Sequence, residues 1–291
     1  MNTTKTKMST MILVSLVTAL VVSIASLFIF SSIDKKAVDT NISNATVAYN
    51  LQGANKYVGN WTKDEGFFAS HASAPTYKLL KDQPVATEVI AATKNETTHI
   101  GSVADGFTSI DGQSLMQFFY PTVTYDKTDH VSENLDRITE GEIIEIALSF
   151  NEAYTFEEMK AIVPSKVNLQ WVMADVYTEE QIEGFKAHLT DESFVKAQSI
   201  LETEAIGFPL RDRSNEAIEN PEQTFIDQLA KVKDLNKEDY ALLHQAAERV
   251  KKVEDIKVIG AVVTATAEEI ESLLEVEEIV GLSFGTKAKL N

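Results

Sequence analysis

Two adjacent carboxylate pairs, Glu157–Glu158 and Glu268–Glu269, have the composition that general acid–base chemistry requires. The second member of each pair lies three residues after a threonine, in Thr155-x-x-Glu158 and Thr266-x-x-Glu269. There a hydroxyl and a carboxylate satisfy the free N–H groups of a helix's first turn, where negative charge is favoured in any case. Capping accounts for both pairs without catalysis. The histidines, His71, His99, His130, His188 and His244, show no ligand spacing, and there is no cysteine to act as nucleophile, thiolate ligand or disulfide partner. No H-E-x-x-H, phosphate-binding loop, dinucleotide fingerprint or G-x-S-x-G is present. Arg211 and Arg213 could hold an anion, but Asp212, Glu216 and Glu219 beside them favour a solvated mixed-charge loop. The sequence therefore predicts no catalytic residue, no metal site, no cofactor and no enzyme.

The elements that would position these residues follow from local patterns. "EIIEIALSF", "TFEEMKAIV" and "VNLQWVMADV" read as strand, helix and strand, and "IKVIGAVVTAT", "AEEIESLL" and "EIVGLSF" repeat that order. Trp171 falls in a strand among apolar residues and is expected in the core. Between the two units lie a helix opened by Thr178-x-x-Gln181 and two more divided near Asn236, while Pro164 ends the first short helix. Two βαβ units bracketing helices predict a ferredoxin-like sheet with a helical insertion. Upstream, "KYVGNW", "TYKLLKD" and "SLMQFFYPTVTY" read as strands, with a hairpin signal at Asp111-Gly112. Trp61, in "GNWT", is expected to pack, with carbohydrate or partner stacking as the alternative.

No charged residue falls between Lys7 and Asp34, and roughly 25 apolar residues cross a hydrocarbon core of about 30 Å. A cleaved signal has a shorter core ending in a small-x-small site. The run continues through Leu27–Phe30 without one, so a retained anchor is expected. Lys5 and Lys7 lie before it and Lys35 and Lys36 after it, a balance that leans only slightly towards a cytoplasmic N-terminus. Ser15, Ala19 and Ser23 share one helix face; small residues are common in membrane helices, and pairing through this face is the functional alternative. Ile33, Val38, Ile42, Ala45 and Tyr49 continue close to one stripe, predicting a stalk that ends near Gly53. The net charge of −18 excludes nucleic-acid binding and flat adsorption on anionic surfaces.

The membrane run, "GANKYVGNWTKDEGFF", "YKLLKDQPV" and the two βαβ blocks together resemble the sigma factor regulator family, the membrane anti-sigma proteins of extracytoplasmic-function sigma factors in Gram-positive bacteria. Asn55, Tyr57, Asn60, Trp171, Gly260 and Thr264 stand at family-like positions, whereas Ala54 and Ala265 replace an expected Pro and Gly. The resemblance implies a role in signal transduction and transcription regulation under cell-envelope stress. Family members carry a sigma-binding domain before the membrane helix, and Met1 to about Lys7 is too short for one. The expectation is that any sigma factor is reached through another membrane protein.

The sequence thus predicts an α+β chain. Residues 1–7 form a cytoplasmic tail, 8–33 a transmembrane helix and 34–53 a stalk helix. Residues 54–130 form a β-rich region and 140–291 the C-terminal α+β domain. The expected protein is a single-pass membrane regulator with an extracytoplasmic sensing domain; the alternative is an anchored envelope enzyme or envelope-binding protein.

Overall fold

The structure, a computed structural model, describes residues 2–66, 70–100, 115–132, 135, 138–189 and 194–289. The chain is a mixed helix and sheet protein that begins with one long helix, α1 (Asn2–Leu51). The two halves of α1 live in different surroundings. From Val14 to Ile33 its apolar side chains are exposed, and the span is long and apolar enough to cross a membrane. From Val38 onward one face is buried, through Val38, Ala45, Ala48 and Leu51. Ile33, expected on that stripe, belongs instead to the exposed half, at 57% exposure. The helix stops where Gly53 takes φ +94°, a left-handed conformation that glycine adopts without a Cβ clash.

The buried half of α1 lies on a small antiparallel sheet. Its strands are β1 (Lys56–Val58), β2 (Thr62–Glu65), β3 (Ser70–Leu80), β4 (Gln83–Ala92) and β5 (Thr97–Ile100), in the order β1-β3-β4-β5 with β2 also on β3. Asn41 Nδ2 donates to Thr93 O at 2.8 Å, Asp39 pairs with Lys63 at 2.6 Å, and Asp34 meets Lys94 at 3.5 Å. Trp61 packs here, half-buried, its Nε1 3.4 Å from Thr46 Oγ1. Among the described residues of the expected strand "SLMQFFYPTVTY", β6 (Gln117–Phe118) forms, and a turn begins at Pro121. Asp111-Gly112 lies outside the described residues.

The second sheet is built from β7 (Glu142–Tyr154), β8 (Asn168–Ala174), β12 (Gly207–Pro209), β13 (Val258–Ala265) and β14 (Ile279–Lys289). Their order is β12-β8-β13-β7-β14, each pair antiparallel. Helix α2 (Phe156–Ile162) connects β7 to β8, which flank β13, and the chain's last helix (Ala267–Leu274) connects β13 to β14, which flank β7. Between the two units the chain forms α3 (Glu179–Phe185), the short strands β9 (His188–Leu189), β10 (Phe194–Val195) and β11 (Ile200–Leu201), then β12, α4 (Pro221–Leu229) and α5 (Ala241–Arg249). The last helix is α6 (Ala267–Leu274). All three capping boxes read from the sequence are present, on α2, α3 and α6. The main core is aromatic at one end, where Phe208 lies 5.8 Å from Phe156 and 5.1 Å from Phe225.

Strand β7 is buried without interruption from Ile143 to Phe150, so both faces of the sheet are covered. One face presents polar groups at alternate positions, Glu145 and Ser149 on β7, with Ser283 and Thr264 beside them in register. Ser149, Ser283 and Thr264 each receive a backbone donor from outside the sheet, from Phe119 N, Gln117 N and Lys81 N respectively. The polar face is therefore a docking surface for the 116–119 segment and for the β3–β4 hairpin.

Candidate functional site

At the centre of that junction a lysine is sealed between two carboxylates. Lys78 Nζ donates to Glu145 Oε2 at 2.7 Å and to Glu202 Oε2 at 2.8 Å, and the three side chains are at most 4% exposed. Lys78 comes from β3, Glu145 from near the start of β7, and Glu202 from the residue after β11. Backbone and amide donors complete the carboxylates' shells: Asn55 Nδ2 reaches Glu145 Oε1 at 2.7 Å, Thr286 N its Oε2 at 3.2 Å, and Met116 N reaches Glu202 Oε2 at 3.0 Å. Asn55 sits at φ +53° and also donates to Leu79 O at 3.0 Å, so one residue turns the chain out of α1 and ties β3 to β7. Gly285 leaves room for this; a Cβ there would come within 2.5 Å of Glu145 Oε2.

Two carboxylates face one ammonium, and that imbalance shapes the titration. Burial alone would lower the pKa of Lys78, but the charges of Glu145 and Glu202 outweigh it and hold it above its ordinary value. Burial pushes Glu145 upward and Glu202 adds to the effect, against the pull of Lys78 and Asn55. A carboxylate raised in the folded state contributes stability that falls as pH rises through that raised value. Lowering the pH towards that value therefore strengthens the Glu145 contribution rather than removing it.

A second lysine extends the contact. Lys81, at φ +56° on the β3–β4 tip, reaches Glu269 Oε1 at 3.1 Å, so one carboxylate both caps α6 and holds the hairpin. Gln170 Nε2 donates to Lys81 O at 3.3 Å from the neighbouring strand. Partial burial opposes ionisation of Glu269, yet the Thr266 N–H and the Lys81 ammonium hold its pKa below the usual carboxylate value. Its contribution is present above a pH of about 4.3 and is lost as pH falls through the depressed folded value. Glu269→Gln, which retains a capping side chain, is expected to lower the unfolding midpoint at pH 7 and to converge on the parent below pH 4; a midpoint series from pH 3 to 7 checks this.

The end of α1 is fastened to the same region. Gly53 N donates to Ala205 O at 3.2 Å, Ala54 N to Glu202 O at 3.1 Å, and Gln52 Nε2 to Thr203 O at 2.9 Å. Tyr57 stacks on Tyr77 at 5.6 Å, and its hydroxyl donates to Arg211 O at 3.1 Å.

Of the residues singled out from sequence, Asn55, Tyr57 and Thr264 come together at this junction. Trp171 and Gly260 lie deeper on the same face, beneath Phe118; Trp171 is 6.1 Å from its ring, and a Cβ on Gly260 would meet it at 2.9 Å. Asn60 is exposed and apart from them, and Ser15, Ala19 and Ser23 are exposed on α1. Arg211 donates to Asn215 O at 3.0 Å within its own loop. His71, His130 and His244 lie on separate segments. Lys78, Glu145 and Glu202 were not singled out by sequence reasoning; a glutamate inside the apolar run "EIIEIALSF" is the signal that would have found them.

The family model for the sigma factor regulator C-terminal region matches residues 135–286. No curated protein and no solved structure matches the chain. The matched span holds the second sheet, both carboxylates of the cluster and the Glu269 cap, whereas Lys78, Lys81 and Asn55 reach into it from the preceding region. By the extent of that match, the chain belongs to the sigma factor regulator family.

Proposed function

We propose that this protein is a single-pass membrane regulator whose domain beyond α1 lies outside the cytoplasm and acts on a sigma factor system through a membrane partner. Residues 8–33 occupy the bilayer, residues 1–7 face the cytoplasm, and the stalk, β-rich region and C-terminal domain follow outside. The single observation carrying this reading is α1 itself. Its exposed apolar half runs without interruption into a half buried on the small sheet, and its end is bonded to residues 202–205 of the family region. A ligand that prefers one arrangement of that region would shift its equilibrium, and a continuous helix would carry the shift across the bilayer. The strand order β14-β7-β13-β8, with β12 added at the edge, supports a ferredoxin-like domain with α3, α4 and α5 as its insertion. The exposed Ser15, Ala19 and Ser23 supply the face for helix pairing, with Ala19→Leu expected to weaken association in a membrane two-hybrid assay.

The test is a flexible Gly-Ser insertion after Ile33, between the exposed and buried halves of α1. The inserted protein should remain folded and in the membrane while a sigma-dependent reporter loses its response. An unchanged response would rule out transmission along α1. Crosslinking of the full chain in cells should recover a sigma factor or a small membrane partner.

A further inference from the structure

A groove of about 640 Å³ opens on the family domain between α2, the end of β12 and the start of α4. Its floor is apolar: Leu169, Leu210 and Ile218 are only partly buried there, beside the ring of Phe156. Its rim is acidic, with Glu157, Glu219 and Glu222 against one cation, Lys160. Lys160 is already committed, 3.0 Å from Glu157 and 5.1 Å above the Phe156 ring. Glu219 and Glu222 form no ion pair among the described residues. Partial burial, then the neighbouring Glu157, pushes the carboxyl of Glu222 above its ordinary value, against the pull of Lys160. Aliphatic side chains left half-open beneath a rim of net negative charge fit a partner that brings both apolar surface and positive charge.

We propose that this groove docks a polypeptide segment of a partner protein in which aliphatic side chains alternate with lysine or arginine. The aliphatic side chains fill the floor over Ile218 and Leu210, and the cations meet Glu219 and Glu222. This docking is independent of transmission along α1 and stands or falls separately from it.

The test uses the full chain in zwitterionic-lipid nanodiscs, with signal from empty discs subtracted. The probes are a fluorescent Leu-Lys alternating peptide and a Leu-Glu peptide of equal length, followed by anisotropy. The cationic peptide should bind with an affinity that falls as salt rises, and the acidic peptide should not bind. Glu219→Gln/Glu222→Gln and, separately, Ile218→Trp, which fills the groove without changing charge, should each weaken binding at least tenfold. Glu271→Gln/Glu275→Gln, an equal charge change on α6 and its C-cap, should leave it within twofold. No binding of the cationic peptide to the parent, equal binding of both peptides, or an equal loss in the α6 variant would overturn the proposal. Unfolding midpoints of all variants separate lost binding from lost folding.

Discussion

Lys78→Met is expected to destabilise the protein by about 3–5 kcal/mol, the cost of leaving buried carboxylates without their counter-ion. Methionine is one atom shorter but fills most of the same space, so the loss reports mainly the missing charge. Lys63→Met is the matched control: its ion pair with Asp39 is as short, at 2.6 Å, but half-exposed, and removing it should cost under about 1 kcal/mol. Denaturant unfolding of the full-length protein in nanodiscs measures both. The Lys78→Met deficit should shrink as pH is lowered from 8, because the raised Glu145 carboxyl takes up a proton in place of the lost ammonium. A deficit at Lys78 no larger than at Lys63 would mean that water reaches the cluster.

Asn55→Ala is expected to cost about 2–5 kcal/mol, because Leu79 O and Glu145 Oε1 are both buried and each loses a donor worth about 1–3 kcal/mol. Part of the cost is backbone, since Asn55 sits at φ +53°. Asn55→Gly removes the same two hydrogen bonds and relieves the backbone, so it should be about 1 kcal/mol milder than alanine. Equal losses in the two variants would place the whole effect in the side chain.

The features legible in the sequence were those written within a few residues. Thr155 and Glu158, or Thr266 and Glu269, are three positions apart, and each box formed as its spacing implies. The strand–helix–strand order of the family region was equally local, as was the break at Gly53. The lysine cluster was not legible, because Lys78 meets partners 67 and 124 residues away and no pattern along the chain pairs them. The exposed position of Ile33 was missed for a related reason. Its spacing fits the stripe, and only the small sheet's reach along α1, which begins at Val38, decides which residues of that stripe are covered.

The hydrogen bond from Thr286 N to Glu145 has a consequence for how the molecule is made. Synthesis delivers Lys78 first, then Glu145, then Glu202, and Thr286 more than 200 residues after the lysine. Until β14 arrives, β7 has an open edge, Glu145 lacks one donor, and the hairpin carrying Lys78 has no finished surface to dock on. Local helices and the small sheet can form early, but contacts of such long sequence separation come late and slowly. The incomplete chain exposes an apolar strand edge during that interval, the kind of surface on which folding intermediates aggregate. Shortening β14 would thus act on the other end of the chain: the α1 junction would lose its support although none of its own residues had changed.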